Sequence, residues 1–124
     1  MTPQVDSRQR RARRGEALAA FLLRLKGYRI EARNWRCPLG EIDIVARDGR
    51  TLVFVEVKTR GGASAGTPED AVDERKRRRL VLLARSYLTR VLGEPPPCRF
   101  DVIAVDLARA FPRLRHLRSA FRAD

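Results

Sequence analysis

Histidine occurs once in this chain of 124 residues, at His116, and cysteine twice, at Cys37 and Cys98. Neither cysteine has the close cysteine or histidine neighbours of a metal site, so a zinc centre and a disulfide framework lack support. Two reduced, partly buried thiols are the expectation. His116 has no acid or nucleophile beside it in sequence and reads as structural. No run approaches ~20 consecutive apolar residues, which argues against a spanning helix. No apolar segment with a small-residue cleavage site follows the N-terminal arginines, so the cytoplasm is the expected location. A basic helical N-terminus keeps a membrane-surface helix as a lesser alternative. Internal repeats are absent.

Acids are scarce too, with 15 Asp and Glu against 27 Lys and Arg, a formal charge of +12 and a pI near 11.3. Such an excess points to a polyanionic partner, with nucleic acid favoured and no membrane. A hydrophobic content of 44% is that of a folded chain, and residues 1–124 suit a single domain with one core.

Met1 to Val5 reads as a loose tail. Ser7 is placed to cap a helix that Gly27 ends near Lys26, with Leu18, Phe21, Leu22 and Leu25 as its buried face. The run Arg8, Arg10, Arg11, Arg13 and Arg14 at its start opposes the helix dipole. It is either a solvated, frayed turn or a contact for phosphate. Tyr28 to Asn34 follows as a strand, Trp35 to Gly40 as an irregular crossing containing Pro38, and strands over about Glu41–Arg47 and Thr51–Thr59 flank a turn at Asp48-Gly49. Arg60 to Gly66 has the composition of a mobile connector. Thr67-Pro68-Glu69-Asp70 has the cap, proline and acids of a helix start. That helix is expected to reach about Val91, with Val72, Leu80, Leu83, Ala84, Tyr87, Leu88 and Val91 inward. Gly93 and Pro95-Pro96-Pro97 end it, and Arg99 to Asp106 forms a fourth strand. The last segment suits a helix through Leu114, Leu117 and Phe121, or an edge strand through Leu114, His116 and Arg118. The order α-β-β-β-α-β, with a further β left open, defines an α/β fold: a mixed sheet flanked by helices.

Charge inside the second and third strands carries the chemistry. Asp43 lies among Ile42, Ile44 and Val45, and Glu56 and Lys58 lie among Val53, Phe54, Val55 and Val57. Burying an ionised carboxylate is costly unless a cation compensates it. Glu56 and Lys58 share one strand face. A hairpin loop of two or four residues around Asp48-Gly49 pairs Asp43 with residue 54 or 56, on the same face in either register, the longer loop setting it opposite Glu56. Directly opposed acids destabilise a sheet. Two carboxylates with a backbone carbonyl, for which Val57 is the natural donor, suit Mg²⁺ or Mn²⁺. Lys58 is placed to orient or deprotonate a water, or to stabilise a phosphorane. Glu16, on the first helix, is a further direct or water-mediated ligand. The plain alternative is a solvent-facing strand with a cross-strand ion pair.

These residues, together with Gly15-Glu16, Gly27-Tyr28, Asn34-Trp35-Arg36, Gly40-Glu41-Ile42-Asp43, Phe54-Val55-Glu56-Val57-Lys58-Thr59-Arg60, Lys76 and Arg99-Phe100-Asp101-Val102, resemble the bacterial YraN family. That family is endonuclease-like and related to archaeal Holliday-junction resolvases within the PD-(D/E)XK superfamily. The match runs from about Arg14 to Val105, with Ala120-Phe121 fitting near the end. The resemblance implies a restriction-endonuclease-like fold, Asp43, Glu56 and Lys58 as catalytic trio, and Glu16 as the helix acid. The superfamily's proline is Ile42 here, which removes no ligand. By the same analogy a homodimer is implied, since junction resolution needs two cuts.

Among the remaining bases, Arg36 and Arg60 flank the trio in sequence and are candidates to clamp a scissile phosphate. The run Arg75, Lys76, Arg77, Arg78 and Arg79 covers every side of a helix, so that some members snorkel and others, with Lys76 and Arg77 foremost, meet the nucleic-acid backbone. Arg13 and Arg14 complete the expected phosphate contacts. Trp35 reads as partly buried packing rather than a base-stacking platform, and Asp101 as a partner for Arg99 rather than a ligand. The function expected is divalent-metal-dependent hydrolysis of DNA phosphodiesters, on branched or single-stranded forms. The alternative is a non-cleaving nucleic-acid-binding module on the same fold.

Overall fold

The computed structural model describes residues 7–61, 73–90, 93–108 and 110–121. A first helix α1 (Ser7–Leu25) precedes strands β1 (Arg29–Cys37), β2 (Gly40–Asp48) and β3 (Thr51–Arg60). Helix α2 (Glu74–Leu88) and strands β4 (Cys98–Asp106) and β5 (Arg113–Phe121) follow. The strands form one sheet in the order β1-β2-β3-β4-β5, antiparallel except for the parallel β3–β4 pair that α2 connects. The tail Met1 to Val5, most of the Arg60 to Gly66 connector, the start at Thr67 to Asp70, Val72 and Val91 lie outside the described residues.

Each helix covers one side of the sheet. Ala19, Ala20 and Leu23 of α1 meet Ile44, Ala46, Val53, Val55, Ile103 and Val105. Leu80, Leu83 and Ala84 of α2 meet Ile42, Val45, Leu52, Phe54, Phe100, Val102 and Phe121. Strands covered on both sides read as continuous apolar runs, which explains Ile44 to Ala46 and Leu52 to Val55. Phe54, Phe100 and Phe121 stack in series at centroid separations of 5.6 and 4.8 Å.

The first helix ends as its glycine requires. Gly27 takes φ +88°, its N–H donates to the Arg24 carbonyl, and the Tyr28 N–H donates to the Leu23 carbonyl. Its buried side, however, is Gly15, Glu16, Ala19, Ala20 and Leu23, while Phe21 and Leu25 are exposed. Of the expected face, Leu18 and Leu22 pack partly buried against the core, while Phe21 and Leu25 are corrected to the outside, for a steric reason: small residues let the helix lie close to the sheet. A Cβ on Gly15 would overlap the Thr59 side chain of β3.

Three boundaries also move. Trp35 to Cys37 belong to β1, because Pro38 and Leu39 form the loop between the paired Cys37 and Gly40, where proline's missing N–H costs nothing. Trp35 anchors that end, edge-on to Tyr87 at 5.3 Å and with the Arg90 guanidinium 5.5 Å from its ring centroid. Second, α2 begins at Glu74: Asp73 is extended and its carboxylate accepts the Lys76 N–H at 2.9 Å, so a helix from Thr67 cannot pass through it unbroken. Third, the final segment is a strand, which covers what would otherwise be the open edge of β4. Both cysteines are free, Cys37 partly buried and Cys98 exposed.

Candidate active site

The turn between β2 and β3 sets the geometry. Asp48 pairs with Thr51, leaving Gly49 and Arg50 as a two-residue loop with Gly49 at φ +61°. The loop is thus one residue later than a turn centred on Asp48-Gly49. Continued beyond the last ladder pair, Ile44 with Val55, this register sets Asp43 opposite Glu56. The ladder stops there. β2 stays paired with β1 down to Gly40, and β3 stays paired with β4 up to Arg60, so the two central strands part as a fork.

Asp43 sits at the crotch of that fork. Its Oδ2 accepts the Val57 N–H at 2.8 Å, a side chain replacing the carbonyl that a continued ladder would supply. Ile42 packs on the α2 side and Ile44 on the α1 side, so the pleat does not alternate simply through Asp43. The convergence of Asp43 with Glu56 therefore comes from the fork, and not from shared strand parity alone.

Burial first, and then the Glu56 charge, push the Asp43 carboxyl up to about 8, against the Val57 hydrogen bond. Burial likewise raises Glu56, opposed by the ammonium groups of Lys76 and then Lys58. An acid held against another acid in a low-dielectric position favours either a proton or a cation between them.

Glu16, buried on α1 next to Gly15, accepts from Asn34 Nδ2 at 2.8 Å and Arg33 Nε at 3.3 Å. Asn34 adopts φ +52°, a left-handed kink in β1 that asparagine tolerates. Glu16 adds to the negative field at Asp43, as does Glu41, which accepts from Arg36 Nε at 3.0 Å.

A cavity of about 750 Å³ opens at the fork. Its acids are Glu16, Glu41, Asp43 and Glu56, and its bases are Arg8, Arg11, Arg13, Arg36, Lys58 and Arg60. The structure thus brings Glu16, Asp43, Glu56, Val57, Lys58, Arg13, Arg36 and Arg60 to one cleft. Lys76, on α2, does not line it but is the foremost cation acting on Glu56. Arg14 is exposed and does not line it, and Arg77 lies with its guanidinium 5.7 Å from the Phe121 ring centroid. Among the described residues no three His, Cys, Asp or Glu side chains gather as a metal cage.

Sequence reasoning did not place Arg33, Asn34 or Glu41 in this cluster. Their signal was the kink at Asn34, which sequence alternation conceals. Nor did it join His116 to Asp101, 2.7 Å apart, because that contact depends on the β4–β5 pairing. Asp101 is buried and also receives Arg99 Nε at 2.9 Å, Arg99 Nη2 at 3.0 Å and the Ser119 N–H at 3.0 Å. Burial disfavours its charge, but the bonds from His116, Arg99 and Ser119 prevail and hold it below the usual carboxylate range. Lys26 Nζ reaches His116 Nδ1 at 2.8 Å, tying the end of α1 to β5.

No helix among the described residues is long and apolar enough to cross a membrane. The sequence profile described as "Uncharacterised protein family UPF0102" matches residues 15–105, from Gly15 at the α1–β3 contact to Val105 in β4. A UPF0102 protein of Symbiobacterium thermophilum is 54% identical over 110 residues, covering 88% of this chain and 93% of the relative. One from Moorella thermoacetica is 55% identical over 103 residues, covering 83% and 86%. A third, from Chlorobium limicola, is 47% identical over 116 residues, covering 88% and 89%. With a match across most of its length and relatives this similar, the chain belongs to the UPF0102 family.

Proposed function

We propose that this protein is a divalent-metal-dependent endonuclease that hydrolyses DNA phosphodiesters in the cleft at the fork, as the YraN-like, PD-(D/E)XK reading of the sequence implies. The observation that carries the reading is the Asp43–Glu56 pair. Two partly buried acids oppose each other within a basic cleft, an arrangement that simple phosphate binding does not need. Asp43, Glu56 and the Val57 carbonyl offer hard oxygen donors. Mg²⁺ and Mn²⁺ fit such a set, because Mg²⁺ in particular is commonly held by one or two carboxylates with water and substrate phosphate completing the shell. Bound there, the ion would polarise the scissile phosphate and acidify a water. Glu16, already bonded to Asn34 and Arg33, serves through a water or through its field.

Lys58, one pleat beyond Glu56 on β3, orients or deprotonates the attacking water, or stabilises charge on the phosphorane. Arg13, Arg36 and Arg60 line the cleft where a phosphodiester backbone would run. Branched or single-stranded DNA is the substrate form favoured, and a homodimer would supply the two cuts that a junction needs. A non-cleaving module predicts DNA binding without turnover. Linear, nicked, flapped and four-way substrates with Mg²⁺ or Mn²⁺ separate the two. Cleavage by the wild type that Lys58→Ala loses supports the enzyme; identical inactivity of both, with DNA still bound, leaves the binding module.

A further inference from the structure

The outer side of α1 carries a feature that the cleft does not use. Its buried side is Gly15, Glu16, Ala19, Ala20 and Leu23. At about 100° per residue, the opposite side is the row Arg10, Arg14, Leu18, Phe21 and Leu25. Phe21 is 59% and Leu25 69% exposed, Leu18 is partly buried and packs against the core beneath the helix, and Arg10, Arg14 and the neighbouring Arg24 are exposed. None of these three arginines lines the cleft. The only acid of α1, Glu16, is buried on the far side, so nothing on the helix neutralises the row.

Along the helix the row is divided: bases in its first half, large apolar groups in its second. Arginines flanking uncovered apolar side chains complement a ligand that is acidic at one end and apolar at the other. We propose that this row is a docking seat for a segment of another protein, with carboxylates over Arg10 and Arg14 and large apolar side chains over Phe21 and Leu25. From Arg10 to Leu25 the row spans about 22 Å at helical rise. About seven residues of extended chain cover that distance.

A second copy of this chain is a poorer occupant, since each copy carries +12 and the row offers no acid to its mate. An anionic membrane is poorer as well. The helix commits its other side to the sheet and presents one narrow apolar row, short of the broad face that interfacial helices insert.

The test is fluorescence anisotropy with a fluorescein-labelled peptide, Asp-Asp-Asp-Asp-Gly-Leu-Phe-Leu, against the full chain. Saturable binding is expected, weakened at least tenfold by Phe21→Ser, by Leu25→Ser, by Arg14→Glu, and by a peptide whose Leu-Phe-Leu is replaced with serines. Lys58→Ala binds the peptide like the wild type, which separates this seat from the cleft and from the fate of the nuclease reading. Phe21 and Leu25 are exposed, so their serine variants should melt near the wild-type temperature, and two positions guard against a misfolded one. Equal affinity for the serine-ended peptide, or unchanged affinity in both folded serine variants, overturns the proposal in favour of bare charge attraction. It is also overturned if the peptide fails to bind while phosphatidylglycerol vesicles bind in a Phe21-dependent way. Self-association in sedimentation that Phe21→Ser dissolves and the peptide does not compete overturns it equally.

Discussion

Asp43 accepts the backbone N–H of Val57 at 2.8 Å, one residue past Glu56 and just beyond the last β2–β3 pair. The Asp43 side chain thereby caps the hydrogen-bond ladder at the point where β2 and β3 part. The same bond fixes where Asp43 can point, so the two acids stay together when the strands part.

The first prediction concerns pH. The Asp43 carboxyl moves from 3.8 to about 8, and Glu56 is raised as well. Between those values the folded state holds more protons than the unfolded one, so stability falls as pH rises. In EDTA, the melting temperature should drop by several degrees from pH 5 to pH 9, and Asp43→Asn should flatten the profile. Mg²⁺ should restore a few degrees at pH 8 and little at pH 5. Melts at pH 8 that ignore Mg²⁺ would count against the metal site.

On the nuclease reading, Lys58→Ala should lower single-turnover cleavage by about 10²-fold or more while DNA affinity changes little. Arg36→Ala and Arg60→Ala should instead weaken binding and reduce its salt dependence. Filter binding at several salt concentrations, beside the cleavage assay, distinguishes the two classes. Equal loss of binding in all three variants would remove Lys58 from its special role.

Gly15 is required by contact rather than by backbone freedom. A methyl group there meets Thr59 Oγ1 and Cβ. Gly15→Ala should therefore cost about 1–3 kcal/mol in urea denaturation, as overpacking does. Adding Thr59→Ala should recover part of the loss. Purely additive effects of the two changes would show that the helix does not rest on that contact.

Asp101 is the most heavily bonded acid of the described residues, with Arg99, His116 and the Ser119 N–H as donors. Asp101→Ala should cost about 1–3 kcal/mol by leaving Arg99 Nε, His116 and the Ser119 N–H without their acceptor, although Arg99 keeps Asp48. Denaturation should show that loss with DNA binding per folded molecule unchanged. A loss below about 1 kcal/mol would mean that water replaces the carboxylate.

Much of the architecture was legible from local rules. Gly27 ends α1, Gly49 turns the β2–β3 hairpin, and alternation in β4 separates Phe100 and Val102 from Ile103 and Val105. The face of α1 is rotated from the expected one, with Leu18 and Leu22 at its edge and Phe21 and Leu25 outside, because small residues suit a helix that sits against Thr59. α2 starts at Glu74 instead of continuing unbroken from Thr67, because Asp73-Glu74 is a second good cap that local chemistry does not rank against Thr67-Pro68-Glu69-Asp70, which lies outside the described residues.

By itself the sequence determined that two acids and a lysine lie in apolar strands of a strongly basic chain, since charge in such runs is visible residue by residue. It also determined the element order as far as β4, because turn and cap residues act on their near neighbours, and left the last segment open between helix and strand. Only the tertiary structure decided that β2 and β3 part at Asp43, that Lys76 faces Glu56, and that His116 meets Asp101. Those outcomes depend on strand register and on which helix covers which side of the sheet. Both are settled by packing between residues far apart in the chain, where side-chain volume outweighs period and propensity.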